Sequence, residues 1–269
     1  MSRWARAAVV AVCGVLAAVS CSAPPTAPTP IASDLAQSAI AQTPPPVPPR
    51  IAAPQPMALG ATRFLAIGDS ITYGTLSSYD GSFLYDVPSH SYTVRLQSAL
   101  TTYYPRQTFT VTNVGVPGEW AQVGAQRLHA ELTRYRPQAL LILEGINDLN
   151  ADQSISVIGR ALRDMLDIAA LFDTPVLIAT MFQTYEVTTP TGQVRTNAAS
   201  SVPALNAEIR RIAEGRRNVW VVDLHAAFGT NRSLVGGDGL HPSTSGYERM
   251  ATTFLTAIET AFPVRGSFQ

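Results

Sequence analysis

The sequence predicts a three-layer α/β/α domain with a five-stranded parallel sheet. Short apolar runs alternate along the chain with longer segments in which apolar residues recur every three or four positions, as expected for strands alternating with helices. The apolar residues of several runs are consecutive, which is typical of strands covered on both faces. Polar residues or glycine follow the runs, so groups that can carry chemistry are expected at the carboxyl ends of the strands.

Five strands and five main helices account for this pattern. The strands are predicted at 64–67, 108–114, 139–143, 175–180 and 219–222. Each helix is indicated by an apolar stripe at helical spacing. The stripes are Leu96, Leu100 and Tyr103; Ala121, Ala125, Leu128, Leu132 and Tyr135; Ile155, Ile158, Leu162, Met165 and Ala169; the segment 205–212; and Tyr247, Met250, Phe254, Leu255, Ile258 and Phe262.

Two segments have no clear period and are predicted to be loops. The first, at 76–90, is polar and aromatic and contains Tyr79, Phe83 and Tyr85. The second, at 181–200, contains Pro190-Thr191-Gly192 and is long enough to suggest a function. We expect the second loop to form one wall of a substrate cleft.

The amino-terminal part of the chain predicts export. Arg3 and Arg6 precede an apolar run at 7–20 that is too short to span a membrane. The segment 16–21 resembles the lipobox of a bacterial lipoprotein signal, which implies lipidation of Cys21. An ordinary cleaved signal with an incidental cysteine is the alternative. We therefore expect a membrane-anchored lipoprotein that faces the periplasm or exterior, or otherwise a secreted protein.

The domain organisation follows from the composition. Residues 1–20 are predicted to be the signal, 21–60 a Pro- and Ala-rich disordered tether, and 61–265 the globular domain. A tether behind a lipidated cysteine would hold the domain away from the membrane surface.

Composition also excludes several functions. Nineteen basic and nineteen acidic residues cancel, and the basic ones are scattered arginines, so no nucleic-acid partner is expected. The chain has no lysine, which excludes a Schiff base, a Walker-type phosphate loop and a serine–lysine pair. Both cysteines lie before the domain, and no histidine pair has metal-ligand spacing. No cofactor or metal is therefore expected.

Ser70 is the candidate nucleophile. It follows the strand at 64–67 in Gly68-Asp69-Ser70, where a helix cap is the alternative role of the polar pair. A serine hydroxyl needs a base near neutral pH, and histidine is suited to that task. His241 is the candidate base, and Asp238, three residues earlier, is the candidate to hold its other ring nitrogen.

Attack on an ester also requires donors for the oxyanion that develops. The backbone N–H groups of Ser70 and Gly118 and the side-chain amide of Asn147 are the candidates, because each residue follows a predicted strand. Strand ends of a parallel sheet meet at one edge, so these groups are expected close together. Asn147 is alternatively placed to brace the turn that leads to Asp148.

These residues resemble the SGNH hydrolases, also called GDSL esterases and lipases. The four matching blocks are Gly68-Asp69-Ser70, the segment 113–118, Gly145-Ile146-Asn147-Asp148, and Asp238-Gly239-Leu240-His241-Pro242. Their order is the family order. The resemblance implies a flavodoxin-like fold, hydrolysis of esters or thioesters without a metal, and the residue roles given above. Glu119-Trp120 departs from the small polar pair of many members, and Glu119 is expected either to contact a polar substrate or to lie on the surface.

Other arrangements are weaker. The Gly-x-Ser-x-Gly signature of α/β-hydrolases is absent, because Thr72 stands at the position of its second glycine. His225 with Asp223 is a second possible base and acid, although packing is the simpler role for His225. His129 is expected to be solvated on a helix. His90 is expected to cap or precede a helix, with a place in the lining of the cleft as its alternative.

The sequence thus predicts an exported serine esterase that forms an acyl-enzyme. Its substrate is either an O-acetylated carbohydrate or a lipid or short-chain ester, and Tyr79, Phe83, Tyr85, Phe182 and Tyr185 are candidates to stack on a sugar or line an acyl groove. The rival hypothesis is a catalytically idle carbohydrate-binding or envelope-structural lipoprotein on the same fold. Neither the acyl and alcohol specificity nor the oligomeric state follows from the sequence.

Overall fold

The computed structural model describes residues 58–264 and contains the predicted five-stranded parallel sheet. Outside the described residues lie the predicted signal, Cys21 and the whole predicted tether except residues 58–60. The sheet strands are β1 (Arg63–Gly68), β4 (Thr110–Asn113), β5 (Ala139–Leu143), β6 (Val176–Ala179) and β9 (Val219–Val222). The α/β/α architecture predicted from the sequence is confirmed.

The strand order is β4-β1-β5-β6-β9, and all four neighbouring pairs are parallel. After β1 the chain moves to β4 on one side, then crosses to β5 on the other side of β1. In α/β sheets such a reversal marks the place where ligands bind, beyond the carboxyl ends of the strands, which here lies around β1.

Helices cover both faces of the sheet, and α2 packs against α8 on one face while α5 packs between α3 and α6 on the other. The long helices are α2 (Tyr92–Tyr103), α3 (Ala121–Tyr135), α5 (Ile155–Leu171), α6 (Val202–Ala213) and α8 (Thr244–Ala261). Three helices of one turn, α1 (Ser70–Tyr73), α4 (Ile146–Asn150) and α7 (Leu224–Phe228), follow β1, β5 and β9. Within the described residues no helix is long and apolar enough to cross a membrane.

The central strands β5 and β6 are buried along their whole length, and β1 is buried from Phe64 onward. This burial explains their consecutive apolar residues, because neither face of these strands meets water. Gly68 is required by space: a Cβ there would lie 2.4 Å from the carbonyl oxygen of Leu143 and against the Thr72 side chain. The chain can therefore turn into α1 directly against β5.

Two short antiparallel hairpins occupy the segments predicted to be loops. The first hairpin pairs β2 (Thr75–Ser77) with β3 (Leu84–Asp86), and the second pairs β7 (Val187–Thr188) with β8 (Val194–Arg195). The loop prediction was wrong for these residues, because strands of two or three residues are too short to show a period. An isolated hairpin is marginal in water, so packing on the rest of the domain must stabilise both.

Candidate active site

Ser70 is the first residue of α1, directly after β1. The side chain of Asp69 caps this helix, since Oδ1 accepts a hydrogen bond of 2.8 Å from the N–H of Ile71. Ser70 therefore occupies a strand-to-helix turn whose backbone is held by the buried Asp69. Asp69 thus has the predicted capping role, and the adjacent Ser70 has the position predicted for the nucleophile.

The structure brings Ser70, His241 and Asp238 together. The Oγ atom of Ser70 lies 2.9 Å from Nε2 of His241, and Nδ1 of His241 lies 2.6 Å from Oδ2 of Asp238. All three side chains are buried or nearly so. Burial raises the pKa of Asp238, but the hydrogen bond and charge of His241 and the N–H groups of Leu240 and His241 outweigh it, so the net pKa is lowered. Asp238 is thus a carboxylate that can hold the histidine ring.

The turn that carries Asp238 and His241 is braced by both hairpin segments. The N–H of Asp238 lies 3.3 Å from Oγ of Ser77 in β2. From the long segment between β6 and α6, Asn197 donates a hydrogen bond of 2.7 Å to the Asp238 carbonyl, and the N–H of Tyr185 donates one of 2.8 Å to Gly239. Sequence reasoning missed Asn197, because nothing local marks an asparagine that bonds a residue 41 positions away.

The backbone N–H groups of Ser70 and Gly118 are two of the predicted oxyanion donors. Within residues 58–264, neither the Ser70 nor the Gly118 N–H donates a hydrogen bond to another backbone group. Gly118 has φ +77°, a left-handed conformation that favours glycine, and the space beside its Cα is open to 4 Å. Both donors therefore remain available for a ligand atom.

Asn147 lies in the first turn of α4, at the end of β5. Its Nδ2 donates a hydrogen bond of 3.0 Å to the backbone carbonyl of Glu119 and lies 3.3 Å from Oδ2 of Asp69. The amide is thus fixed beside Gly118 and Ser70 by their sequence neighbours. The neighbouring Asp148 accepts a hydrogen bond of 2.9 Å from the N–H of Ala121, which ties α4 to the start of α3.

Asn113 holds the loop after β4 against α1. Its Nδ2 donates a hydrogen bond of 2.7 Å to the carbonyl of Thr72, and its Oδ1 accepts one of 2.9 Å from the N–H of Gly115. A Cβ at Gly115 would lie 2.4 Å from the backbone nitrogen of Tyr73, so only glycine permits this approach. The loop after β4 therefore packs directly on α1.

Glu119 contradicts both predictions made for it. It neither faces a substrate cleft nor lies on the surface: its side chain is 2% exposed and forms two hydrogen bonds with Arg127 of α3, of 2.7 and 2.6 Å. The pairing explains the burial, because an ionised carboxylate is stable inside a protein only with a charged or hydrogen-bonding partner.

Three buried acids, Asp69, Asp148 and Glu144, have raised pKa values. Burial raises the pKa of Asp69 to about 6, although the Ile71 N–H and the charge of His241 lower it. Burial likewise raises the pKa of Asp148, and that of Glu144 is raised well above its usual range, first by burial and then by the charges of Asp69 and Glu119. The described residues contain no group of three or more His, Cys, Asp or Glu side chains arranged to hold a metal ion.

The other histidines do not join the site. Asp223 caps α7 through the N–H of Ala226 and forms an ion pair of 2.8 Å with Arg210, so it does not hold the ring of His225. His129 is exposed, as predicted, and its ring meets the edge of Phe172 at a centroid distance of 5.0 Å. His90 ends the turn before α2.

Four of the five candidate aromatic residues are accessible. Tyr79, Phe83 and Tyr85 are exposed on the β2–β3 hairpin, and Tyr185 is half-buried beneath the guanidinium of Arg232. Phe182 is fully buried and stacks on Phe228 at 4.4 Å, so the prediction that it contacts substrate was wrong. Its position just after β6 directs it into the core.

Residues 66–249 match the model of the GDSL-like Lipase/Acylhydrolase family, which is more than half of the chain. None of the curated proteins matches the sequence. The matched range includes all four sequence blocks and therefore every residue of the site described above.

Solved structures with the same fold include several esterases. A native aryl esterase of M. smegmatis is 18% identical with a TM-score of 0.64, covering 75% of this chain and all of that one. The acetylxylan esterase Axe2 of Geobacillus stearothermophilus is 20% identical (TM-score 0.58, 76% and 96% covered). The carbohydrate acetylesterase Est24 of Sinorhizobium meliloti is 14% identical (TM-score 0.60, 74% and 99% covered). At these identities the likeness establishes the fold.

Proposed function

Because the chain belongs to the GDSL-like Lipase/Acylhydrolase family, a family of hydrolases that act on esters, we propose that it is an exported serine esterase with Ser70 as nucleophile. The observation that carries this proposal is the continuous hydrogen-bonded series from Ser70 Oγ through the His241 ring to Asp238. A series of nucleophile, base and orienting carboxylate is the arrangement that activates a serine.

The acylation step follows from this geometry. As Ser70 Oγ attacks the ester carbonyl carbon, Nε2 of His241 takes the hydroxyl proton, and Nδ1–H remains donated to Asp238. The carbonyl oxygen becomes an oxyanion, for which the N–H groups of Ser70 and Gly118 are two donors. The Asn147 amide is the third, and it donates to the oxyanion in place of its 3.3 Å contact with Asp69 Oδ2. When the intermediate collapses, His241 passes its proton to the departing alkoxide oxygen, and the acyl group stays on Ser70.

Deacylation repeats the same proton transfers with water. Nε2 of His241 takes a proton from a water molecule as its oxygen attacks the acyl carbon, and then returns a proton to Ser70 Oγ as the carboxylic acid leaves. No step needs a metal or a cofactor, because His241 handles each proton and the donors hold each negative charge.

The substrate class is an O-acetylated carbohydrate or a lipid or short-chain ester. The exposed rings of Tyr79, Phe83 and Tyr85 support a substrate with an apolar or sugar surface, since aromatic faces bind both. Their hairpin packs on the His241 turn: a Cβ at Gly81 would lie 2.9 Å from the Asp238 nitrogen. The hairpin that carries the rings therefore borders the turn that carries Asp238 and His241.

Labelling by a fluorophosphonate tests the nucleophile. We expect the wild type to be labelled on Ser70, Ser70→Ala to lose both labelling and hydrolysis of p-nitrophenyl acetate, and Ser98→Ala, an exposed serine on α2, to keep both. An unlabelled wild type would favour the catalytically idle binding protein, and labelling that persists in Ser70→Ala would reject Ser70.

A substrate series tests the specificity. Rates on p-nitrophenyl esters of two to twelve carbons should be compared with acetate release from acetylated xylan. A rate that falls steeply beyond short acyl chains, together with acetate release, would support a carbohydrate deacetylase. Rates that rise with chain length would support a lipid or thioester substrate instead.

We also propose that export places the enzyme on a membrane through a lipid on Cys21, with the Pro-rich segment as a tether. The support for this is the sequence of the signal alone. Secretion after ordinary cleavage is the alternative outcome.

A further inference from the structure

Arg127 of α3 reaches back to both ends of the loop that carries Gly118. Its Nε and Nη2 atoms donate to the two carboxylate oxygens of Glu119 at 2.7 and 2.6 Å, and Nη2 also donates to the carbonyl of Val114 at 2.6 Å. A guanidinium that meets a carboxylate through two parallel hydrogen bonds fixes orientation as well as distance. Arg127 thus holds the loop between β4 and α3 at its first residue, Val114, and at its last residue but one, Glu119.

Glu119 links Arg127 to two of the proposed oxyanion donors, Gly118 and Asn147. It is the residue immediately after Gly118, and its backbone carbonyl accepts the 3.0 Å hydrogen bond from Asn147. A shift of the Glu119 side chain would therefore move the peptide beside Gly118 and release one of the bonds that orient the Asn147 amide. Neither Arg127 nor the Glu119 carboxylate has a role in the proton transfers proposed above.

Glu144 is a second buried carboxyl group beside α3. A Cβ at Gly124 would lie 3.3 Å from Oε1 of Glu144 and 3.4 Å from Oε2 of Glu119, so both carboxyl groups face the same glycine of α3. Burial first, and the neighbouring charges of Asp69 and Glu119 next, keep the pKa of Glu144 well above its usual range. Neither carboxyl oxygen of Glu144 has a hydrogen-bond partner within residues 58–264, and an ionised Glu144 would repel the Glu119 carboxylate.

We propose that Arg127 is a positioning residue of the active site, which acts through Glu119 to hold Gly118 and Asn147 in the geometry that receives the oxyanion. The inference rests on the proposed esterase function for its kinetic consequence. The effect of Arg127 on the mobility of the loop 114–119 can be measured without catalysis.

The kinetic test compares Arg127→Met with Arg127→Lys and with Arg163→Met. Arg163 forms a comparable partly buried ion pair of 2.9 Å with Glu208, between α5 and α6 and apart from the site. We expect Arg127→Met to lower kcat on p-nitrophenyl acetate by about ten- to a hundredfold with KM changed less than about threefold, because a misplaced donor weakens mainly the transition state. Arg127→Lys should recover part of kcat, and Arg163→Met should lower only Tm.

Hydrogen exchange measured by mass spectrometry supplies the second readout. Amides in the peptide that spans 114–120 should exchange faster in Arg127→Met and Arg127→Lys than in the wild type, and no faster in Arg163→Met. The Lys variant keeps the charge and most of the volume, so it provides this readout if the Met variant does not fold.

The outcomes separate the two proposals. A wild type that neither reacts with a fluorophosphonate nor hydrolyses esters would contradict the esterase function, and exchange in 114–120 would still decide the role of Arg127. Unchanged exchange there would overturn the positioning role. So would a folded Arg127→Met with normal kcat, or a loss no larger than that of Arg163→Met.

Discussion

Ser70 Oγ and His241 Nε2 lie 2.9 Å apart although 171 positions separate the two residues in the chain. Ser70 is placed by the exit of β1 and the cap of α1, whereas His241 is placed by a turn between β9 and α8 that two other segments brace. The distance therefore depends on the packing of the whole domain. It also identifies which of the four histidines can serve Ser70.

The first prediction separates His241 from His225. His241→Ala should lower kcat by at least about a thousandfold, since Ser70 loses the base that lies next to its hydroxyl. His225→Ala should keep activity within about threefold, because Asp223 is engaged with Arg210 and Ala226. Steady-state rates on p-nitrophenyl acetate, with circular dichroism to verify folding, measure both. The opposite pattern would assign the base to His225.

The second prediction concerns the Asn147 amide. Asn147→Ala should lower kcat by about a hundredfold to a thousandfold, the usual effect of losing one oxyanion donor, with little change in KM. Asn150→Ala, an exposed asparagine at the end of the same helix, is the matched control and should leave both constants unchanged. A variant that melts early but turns over normally when folded would make Asn147 a purely structural residue.

The third prediction follows from the raised pKa of the buried Glu144. In the folded state Glu144 keeps its proton at pH values above 4.5, the ordinary pKa of its side chain. In the unfolded state it releases the proton there. The free energy of unfolding of the wild type should therefore fall as pH rises from about 4.5 toward the raised pKa, and Glu144→Gln should lack this loss. A tenfold difference in proton affinity between the folded and unfolded states corresponds to about 1.4 kcal/mol of unfolding free energy, or roughly 3–5 °C in Tm.

Thermal melts from pH 4 to pH 8 measure this effect. The Tm of Glu144→Gln should rise relative to that of the wild type across the series, and the exposed Glu214→Gln should follow the wild type at every pH. A Tm difference between Glu144→Gln and the wild type that stays constant from pH 4 to pH 8 would mean that Glu144 ionises normally in the folded protein.

The fourth prediction concerns anchoring. If Cys21 carries a lipid, Cys21→Ser should move the protein from the membrane fraction to the soluble fraction or leave its precursor unprocessed. Cys13→Ser, within the apolar run of the same signal, should change neither. Fractionation followed by immunoblotting measures this, and membrane recovery that is the same for Cys21→Ser and the wild type would contradict the lipoprotein proposal.

The sequence by itself determined the architecture and predicted which polar residues follow the strands at one edge of the sheet. A strand buried on both faces must be apolar throughout, so 64–67 and 139–143 are recognisable without knowledge of their neighbours. The ends of parallel strands share one edge, so residues such as Ser70 and Asn147 could be assigned to a common site before any distance was known.

Only the tertiary structure decided which polar groups are buried and what they bind. Glu119 is eight positions from its partner Arg127 across a turn, Asn197 bonds a residue 41 positions away, and Phe182 enters the core rather than the cleft. The short hairpins and one-turn helices also depend on packing, because elements of two to five residues are not stable alone. Local sequence patterns carry no record of such contacts, since each is set by the distance between segments that fold together from separate parts of the chain.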